Sequence, residues 1–337
     1  MTAVISRPAL SCVFPPGPRV VEYAKDAERL GYHRIWLYDS PALYGDVWIS
    51  LARIADATER IGLGTGVAIP SLRHPMVTAS AIADIERSAP GRLVVAVGTG
   101  FTGRLAMGVK PMRWADLAAY VDQARRLLAG EVVTVQGGRC QMLHSPGWAP
   151  PRPIDTPVLV APAGPKGYAV ARDLGVPGVV VPALPRPEDR DPGWEICGLL
   201  VSGTVVRPGE DHTSRRLIDA IGPHYATAYH GIWEFAPTML AELPGGAEWL
   251  ARIEAEREPG ERHLAVHEGH LTVVTPRDLP LLTQGGERIL QTGWTGDAGA
   301  VRARFDEAGA AGVTEILYMA AGPDIPGELA AMADARA

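Results

Sequence analysis

Apolar residues in this chain fall into short runs. Between them lie stretches in which apolar positions recur every three or four residues. The runs at 9–14, 34–38, 61–67, 93–98, 157–161, 178–181, 199–206 and 315–319 read as strands. The amphipathic stretches at 18–30, 47–59, 76–88, 114–129, 166–174, 213–228, 298–308 and 325–335 read as helices. Strand and helix alternate, which is the pattern of an α/β protein with a parallel sheet. Eight strands are what a (β/α)8 TIM barrel needs, so the predicted fold is that barrel with insertions.

Three places break the rhythm. The segment PALPRPEDRDPGWEICG (182–198) is proline-rich and too short for an ordinary helix, so the sixth unit is expected to be degenerate. Residues 132–143 read as a small hairpin, with Gly137 and Gly138 turning between VVTV and RCQML. The stretch from about 230 to 296 reads as an insertion with two helical patches and a polar, glycine-rich middle. The expected organisation is one barrel over 1–337 with an elaborated seventh crossover. No fixed-period repeat or low-complexity tract is present.

Composition narrows the function. A length of 337 residues is compatible with a single α/β barrel. A formal net charge of −6 argues against a general nucleic-acid binder. No apolar run approaches the ~20 residues needed to span a bilayer, so no membrane partner is expected. Cys12, Cys140 and Cys197 match no zinc or redox spacing, and their odd number fits a reducing compartment. The N-terminal residues lack a signal-peptide pattern. The expected location is the cytoplasm.

Gly98-Thr99-Gly100-Phe101-Thr102-Gly103 is a literal G-x-G-x-x-G after an apolar run. A dinucleotide fingerprint opens a helix directly and carries an acidic residue about twenty positions on, at a strand end. Here helical periodicity resumes only near Trp114, Asp116 and Asp122 fall inside that helix, and the motif sits in the fourth unit. The reading that fits is positional. In a barrel these glycines lie in a loop at a strand C-terminus, where missing side chains let a flat ligand approach the backbone. Gly64-Thr65-Gly66-Val67 repeats the pattern one strand earlier. Glycines at such positions also serve bulges and tight turns.

With these residues in view, the chain resembles the bacterial-luciferase-like superfamily of flavin- and deazaflavin-dependent oxidoreductases. Within it, the chain is most similar to the actinobacterial group akin to methylenetetrahydromethanopterin reductase. The resemblance rests on GYHRIWLYDSPALYGDVW (31–48), ATERIGLGTGVAIPSLRHP (57–75), APGRLVVAVGTGFTG (89–103), PVLVAPAGPKGYAVARDLG (157–175), HEGHL (267–271) and GVTEILYMAAGPDIP (312–326). It implies the same barrel, a homodimer, and reduced F420 or, alternatively, reduced FMN bound at the strand C-termini. It also implies a non-prolyl cis peptide at Gly66-Val67, forming a bulge behind the cofactor ring.

The resemblance assigns candidate roles. Asp39-Ser40 closes the second strand where several deazaflavin relatives have Asp-His. Ser40 can hydrogen-bond a ring carbonyl or substrate, but alone it is no general base near neutral pH. Asp39 is otherwise a strand-end cap. Phe101 stands where some relatives place an acid, so it offers a stacking surface and removes a proton donor. Gly66, Val67, Gly98, Thr99 and Gly100 are expected against the cofactor.

Ala163-Gly164-Pro165-Lys166 opens a helix after the fifth strand, where free N–H groups and the helix dipole favour a phosphate. The alternative there is an ordinary turn. Arg104 is a second phosphate candidate or a solvated surface arginine. His267 or His270 of His267-Glu268-Gly269-His270 is expected near the cofactor, or else is a satisfied structural histidine. The two are three apart around a glycine, beside a strand-like LTVV, so they do not make the helical metal motif with histidines four apart, and no metal is expected. His74-Pro75 reads as a helix start. Trp233, Phe235, Trp249 and Trp294 form either an apolar lid or a local core.

The expected activity is hydride transfer between C5 of F420 and a C=N, C=C or C=O bond of a small organic substrate. The alternatives are an FMNH₂-dependent monooxygenase using oxygen and, given Ser40 and Phe101, a barrel that binds cofactor without turnover.

Overall fold

The eight parallel strands of the barrel follow one another around it in chain order. They are β1 (Ala9–Phe14), β2 (Arg34–Leu37), β3 (Gly62–Ala68), β4 (Leu93–Val97), β7 (Val158–Val160), β8 (Gly178–Val181), β9 (Ile196–Val201) and β10 (Glu315–Tyr318), with β10 pairing back onto β1. The intervening β5 (Val133–Val135) and β6 (Gly138–Cys140) form a separate antiparallel hairpin. This computed structural model describes residues 7–337.

Side chains alternate across the strands. Cys12, Ile35, Leu63, Val95, Val160, Val179 and Ile316 point outward and pack against helix residues such as Ala24, Leu51, Ile82 and Phe305. Val13, Trp36, Val94, Ala96, Leu159, Val180 and Leu317 fill the interior. Burying strands on both faces is what lets these runs be apolar throughout.

The N-terminal end of the barrel is closed by a buried polar knot. The Glu315 carboxylate accepts from Ser11 Oγ at 2.6 Å, Arg34 Nη1 at 2.7 Å and Trp36 Nε1 at 2.8 Å. A carboxylate taken out of water there is tolerable because both its oxygens are satisfied and its charge is matched. Between β3 and β4 the register shifts from Thr65 to Ala68, and the Gly66–Val67 peptide within the shift is cis.

The structure corrects several element boundaries. A short helix, Phe101–Leu105, follows β4 directly, so the glycine motif does open a helix. Five residues with an internal glycine were too few to show periodicity. Strand β9 begins at Ile196 rather than 199 and stops at Val201, before Gly203 at φ +116°. The hairpin turns on Gln136-Gly137, with Gly138 already paired to Val135. The sixth connection holds only a single 3-10 turn, Pro187–Asp189. The helix expected to end at 228 runs unbroken from Arg215 to Phe235, through Pro223. Residues 271–274 form no strand; the helix Arg262–His267 precedes them.

The insertion has a core of its own, with Tyr229, Leu240, Trp249, Ile253, Val266 and Leu281. Trp233 packs on that core and Trp294 packs edge-on against Phe305, with centroids 5.1 Å apart, leaving Phe235 outside. No helix among the described residues is long and apolar enough to cross a membrane.

Candidate active site at the barrel mouth

At the C-terminal end of the barrel, Tyr38, Val67, Ala161 and Met319 pack on the interior cluster while staying partly exposed, and so form a floor. The floor is low because glycines leave room for the side chains packed against them. A Cβ on Gly98 would stand 2.6 Å from Val67 Cγ2, and one on Gly64 would stand 2.6 Å from Trp36 Cδ2. Burial holds the Tyr38 phenol well above its ordinary range, so it is a neutral hydroxyl.

The strand-four loop builds one wall. Gly100 caps the short helix at φ +81°, a left-handed conformation that side chains resist. Gly103 presses on Ile69, and a Cβ there would stand 2.9 Å from both the Asp39 carbonyl oxygen and Ser40 Oγ. The motif thus packs a loop against the end of β2. Phe101 faces outward and stacks on Phe235, with ring centroids 5.0 Å apart and planes at 23°. The Thr99 carbonyl oxygen accepts from Met112 N. Arg104 turns away from the floor, donating to the Lys110 carbonyl and to Ser71 Oγ.

Asp39 is buried, and one of its oxygens accepts from Ile69 N at 3.0 Å and Arg73 Nη1 at 2.6 Å. Its other oxygen has no partner. Burial raises its pKa, with Ile69 N–H and Arg73 opposing. Arg73 also reaches Asp46, whose other oxygen caps the helix Val47–Ala57. Asp39 therefore fastens the β2 corner to the β3 corner. Ser40 is buried beneath the short helix. His74 caps the helix Pro75–Ser88 by accepting from Met76 N, and Pro75 takes its first position.

Across the mouth, Gly164 precedes the helix Pro165–Asp173, which has no side-chain cap. Ala163, Pro165 and Lys166 are exposed, and a Cβ on Gly164 would meet nothing. This corner is an open helix N-terminus beside a lysine.

The insertion brings His267 and His270 together with His230, a residue not singled out in the sequence. All three are buried, and one ring nitrogen from each lies within 4.8 Å of the others. His267 Nε2 lies 3.1 Å from Glu234 Oε1, and His270 Nε2 lies 3.4 Å from Thr102 Oγ1. Burial lowers the pKa of each ring, that of His270 to about 3, so the rings are neutral. The available signal was His230-x-x-x-Glu234, one helical turn apart, but it lay beyond the expected helix end. Arg73 likewise has no site role in the sequence, whereas Phe235 reads there as part of an apolar lid or of a local core.

A cavity of about 850 Å³ opens beside this mouth, lined by Phe14, Tyr23, Tyr44, Arg53, Leu271 and Ala321 among others. None of the sequence-predicted site residues lines it, so its size alone does not make it the chemical centre.

Residues 7–190 match the family of luciferase-like monooxygenases, and the chain belongs to that family. It is 31% identical over 208 residues to 5,10-methylenetetrahydromethanopterin reductase of Methanolobus tindarius, covering 58% of each chain. It is 32% identical over 182 residues to F420-dependent glucose-6-phosphate dehydrogenase of Intrasporangium calvum, covering 48% of this chain and 52% of that one. The matches thus span between half and three-fifths of these relatives. In fold it resembles the coenzyme F420 dependent tetrahydromethanopterin reductase of Methanopyrus kandleri, with a TM-score of 0.66 at 19% identity over 97% of this chain and 98% of that one.

Proposed function

We propose that this protein is an oxidoreductase that binds coenzyme F420 across the barrel mouth and exchanges a hydride with a small organic substrate. The observation that carries this reading is the floor of Tyr38, Val67, Ala161 and Met319, kept low by Gly98. The named activities of the relatives support F420 as its occupant.

The residues fit such a group. The floor offers apolar surface to a flat ring, and the Gly164 corner with Lys166 offers N–H groups and charge to its phosphate end. When bound, the deazaflavin supplies the hydride from C5. The protein's share is placement and shielding. Phe101 and Phe235, stacked on each other between the short helix and the insertion, offer exposed aromatic surface to a ligand. Asp39 acts as a positioning residue, because its carboxylate is committed to Ile69 and Arg73. Ser40 supports the short helix that carries Phe101. A homodimer is part of this reading.

The family description favours a second reading, in which reduced FMN and oxygen make this a monooxygenase. Parallel fluorescence titration of the purified protein with F420 and FMN separates the two. Tight F420 binding with weak FMN binding supports hydride transfer, and the reverse supports oxygen chemistry. Binding of neither overturns both.

A further inference from the structure

We infer that His230, His267 and His270 form a binding site for one divalent transition ion of the zinc type, built by the insertion. The inference does not rest on the redox reading.

The rings are 3%, 2% and 5% exposed, and one nitrogen from each lies within 4.8 Å of the others. Two elements supply them. His230 comes from the helix Arg215–Phe235, and His267 and His270 come from the end of Arg262–His267 and the turn after it.

The hydrogen bonds around the cluster leave lone pairs where an ion needs them. The Glu234 carboxylate only accepts, so His267 Nε2 carries the proton and donates to it. His267 Nδ1 then keeps its lone pair, and this nitrogen is buried without a partner. A carboxylate behind a ligating histidine is the usual way such a ring is oriented. His270 repeats the arrangement with Thr102 Oγ1 at its Nε2.

The remaining pair, His230 Nδ1 and His270 Nδ1, face each other at 2.9 Å. Without an ion, one of these nitrogens carries a proton and donates to the other. Ligation replaces that hydrogen bond, and the proton shifts to Nε2 of the same ring, so no net proton is released. Tetrahedral zinc with bonds of about 2.0–2.1 Å sets ligand nitrogens roughly 3.4 Å apart, so the widest pair closes by at most about 1.4 Å.

Imidazole nitrogens select zinc, copper, nickel or iron over magnesium and calcium. The nearby buried cation Arg277 is paired with Glu256 and Glu268. The bound ion would tie the insertion, through His270 and Thr102, to the loop that carries Phe101.

The test is calorimetric titration of the full-length, chelator-treated protein with Zn²⁺, and with Co²⁺ followed by absorption. One equivalent is expected, with the strong visible bands of tetrahedral Co²⁺ and a rise in melting temperature. Glu234→Gln retains the stoichiometry but weakens affinity by about 10–100-fold. His230→Gln abolishes the bands. Far-UV circular dichroism establishes whether that variant folds; if it does not, the wild-type and Glu234→Gln titrations decide. Binding of less than one equivalent by the wild type, or wild-type affinity in Glu234→Gln, overturns the site and leaves three rings packed on one another, with His230 stacked on Trp249.

Discussion

Phe101 and Phe235 stack ring on ring at 5.0 Å, yet both remain about half exposed, at 47% and 63%. One opens the short helix after β4, and the other closes the long helix of the insertion. A core pair would be buried. This one joins two walls of the mouth by a weak contact, beside the pair Thr102–His270.

The stack therefore bears on ligand binding more than on stability. Phe235→Ala is expected to cost no more than an exposed aromatic pair, about 0.5–1.5 kcal/mol. It should weaken binding of the preferred cofactor or of substrate several-fold. Thermal unfolding and fluorescence titration of the same samples check this; a large stability loss with unchanged binding would show that the pair is structural.

The glycine motif predicts a second effect. Gly98→Ala drives a methyl group into Val67, and overpacking of this kind costs about 1–3 kcal/mol. The displaced Val67 raises the floor, so cofactor affinity should fall more than stability does. Retained affinity in a folded Gly98→Ala protein would remove the floor from the site.

The Glu315 knot predicts a purely structural phenotype. Arg34→Met leaves a buried carboxylate with only Ser11 and Trp36, and is expected to destabilise by about 3–5 kcal/mol. Adding Glu315→Gln should recover part of that loss, because the uncompensated charge goes. Chemical denaturation of the two variants gives the comparison.

His224 predicts an acid limb. Its Nε2 donates to the Met319 carbonyl at 2.9 Å, and burial lowers its pKa from 6.5 to about 4. The unfolded chain thus takes up the proton first. The contribution is whole above pH 6.5 and is lost as pH falls toward 4, with a ceiling of roughly 3 kcal/mol. The other buried histidines act in the same direction, so the difference between wild type and His224→Gln isolates this ring. Stability curves that stay parallel across that window would place the proton elsewhere.

The barrel was legible in the sequence because each of its strands is a short apolar run set off by turn residues and helices. The His74 helix start followed from local chemistry. Legibility failed where structure depends on neighbours far along the chain. Ile196 belongs to a strand through its pairing with Gly178 of β8. The helix through Pro223 continues because its buried face packs on the insertion. The three histidines meet because two separate elements fold onto each other, and no spacing in the sequence encodes that meeting. Phe101 was singled out, but Phe235 as its partner was not, since stacking between the ends of two distant helices leaves no periodic trace.

The knot beneath the barrel has one more consequence. With Glu315, Arg34 and Trp36 sealing one end and the Trp36 ring filling the space beside Gly64, the barrel is a cup with a solid base. No ligand can thread along its axis. A guest of the barrel itself has only the rim to rest on, and a wider or narrower choice of guest is open to change in the rim loops without disturbing the vessel that holds them.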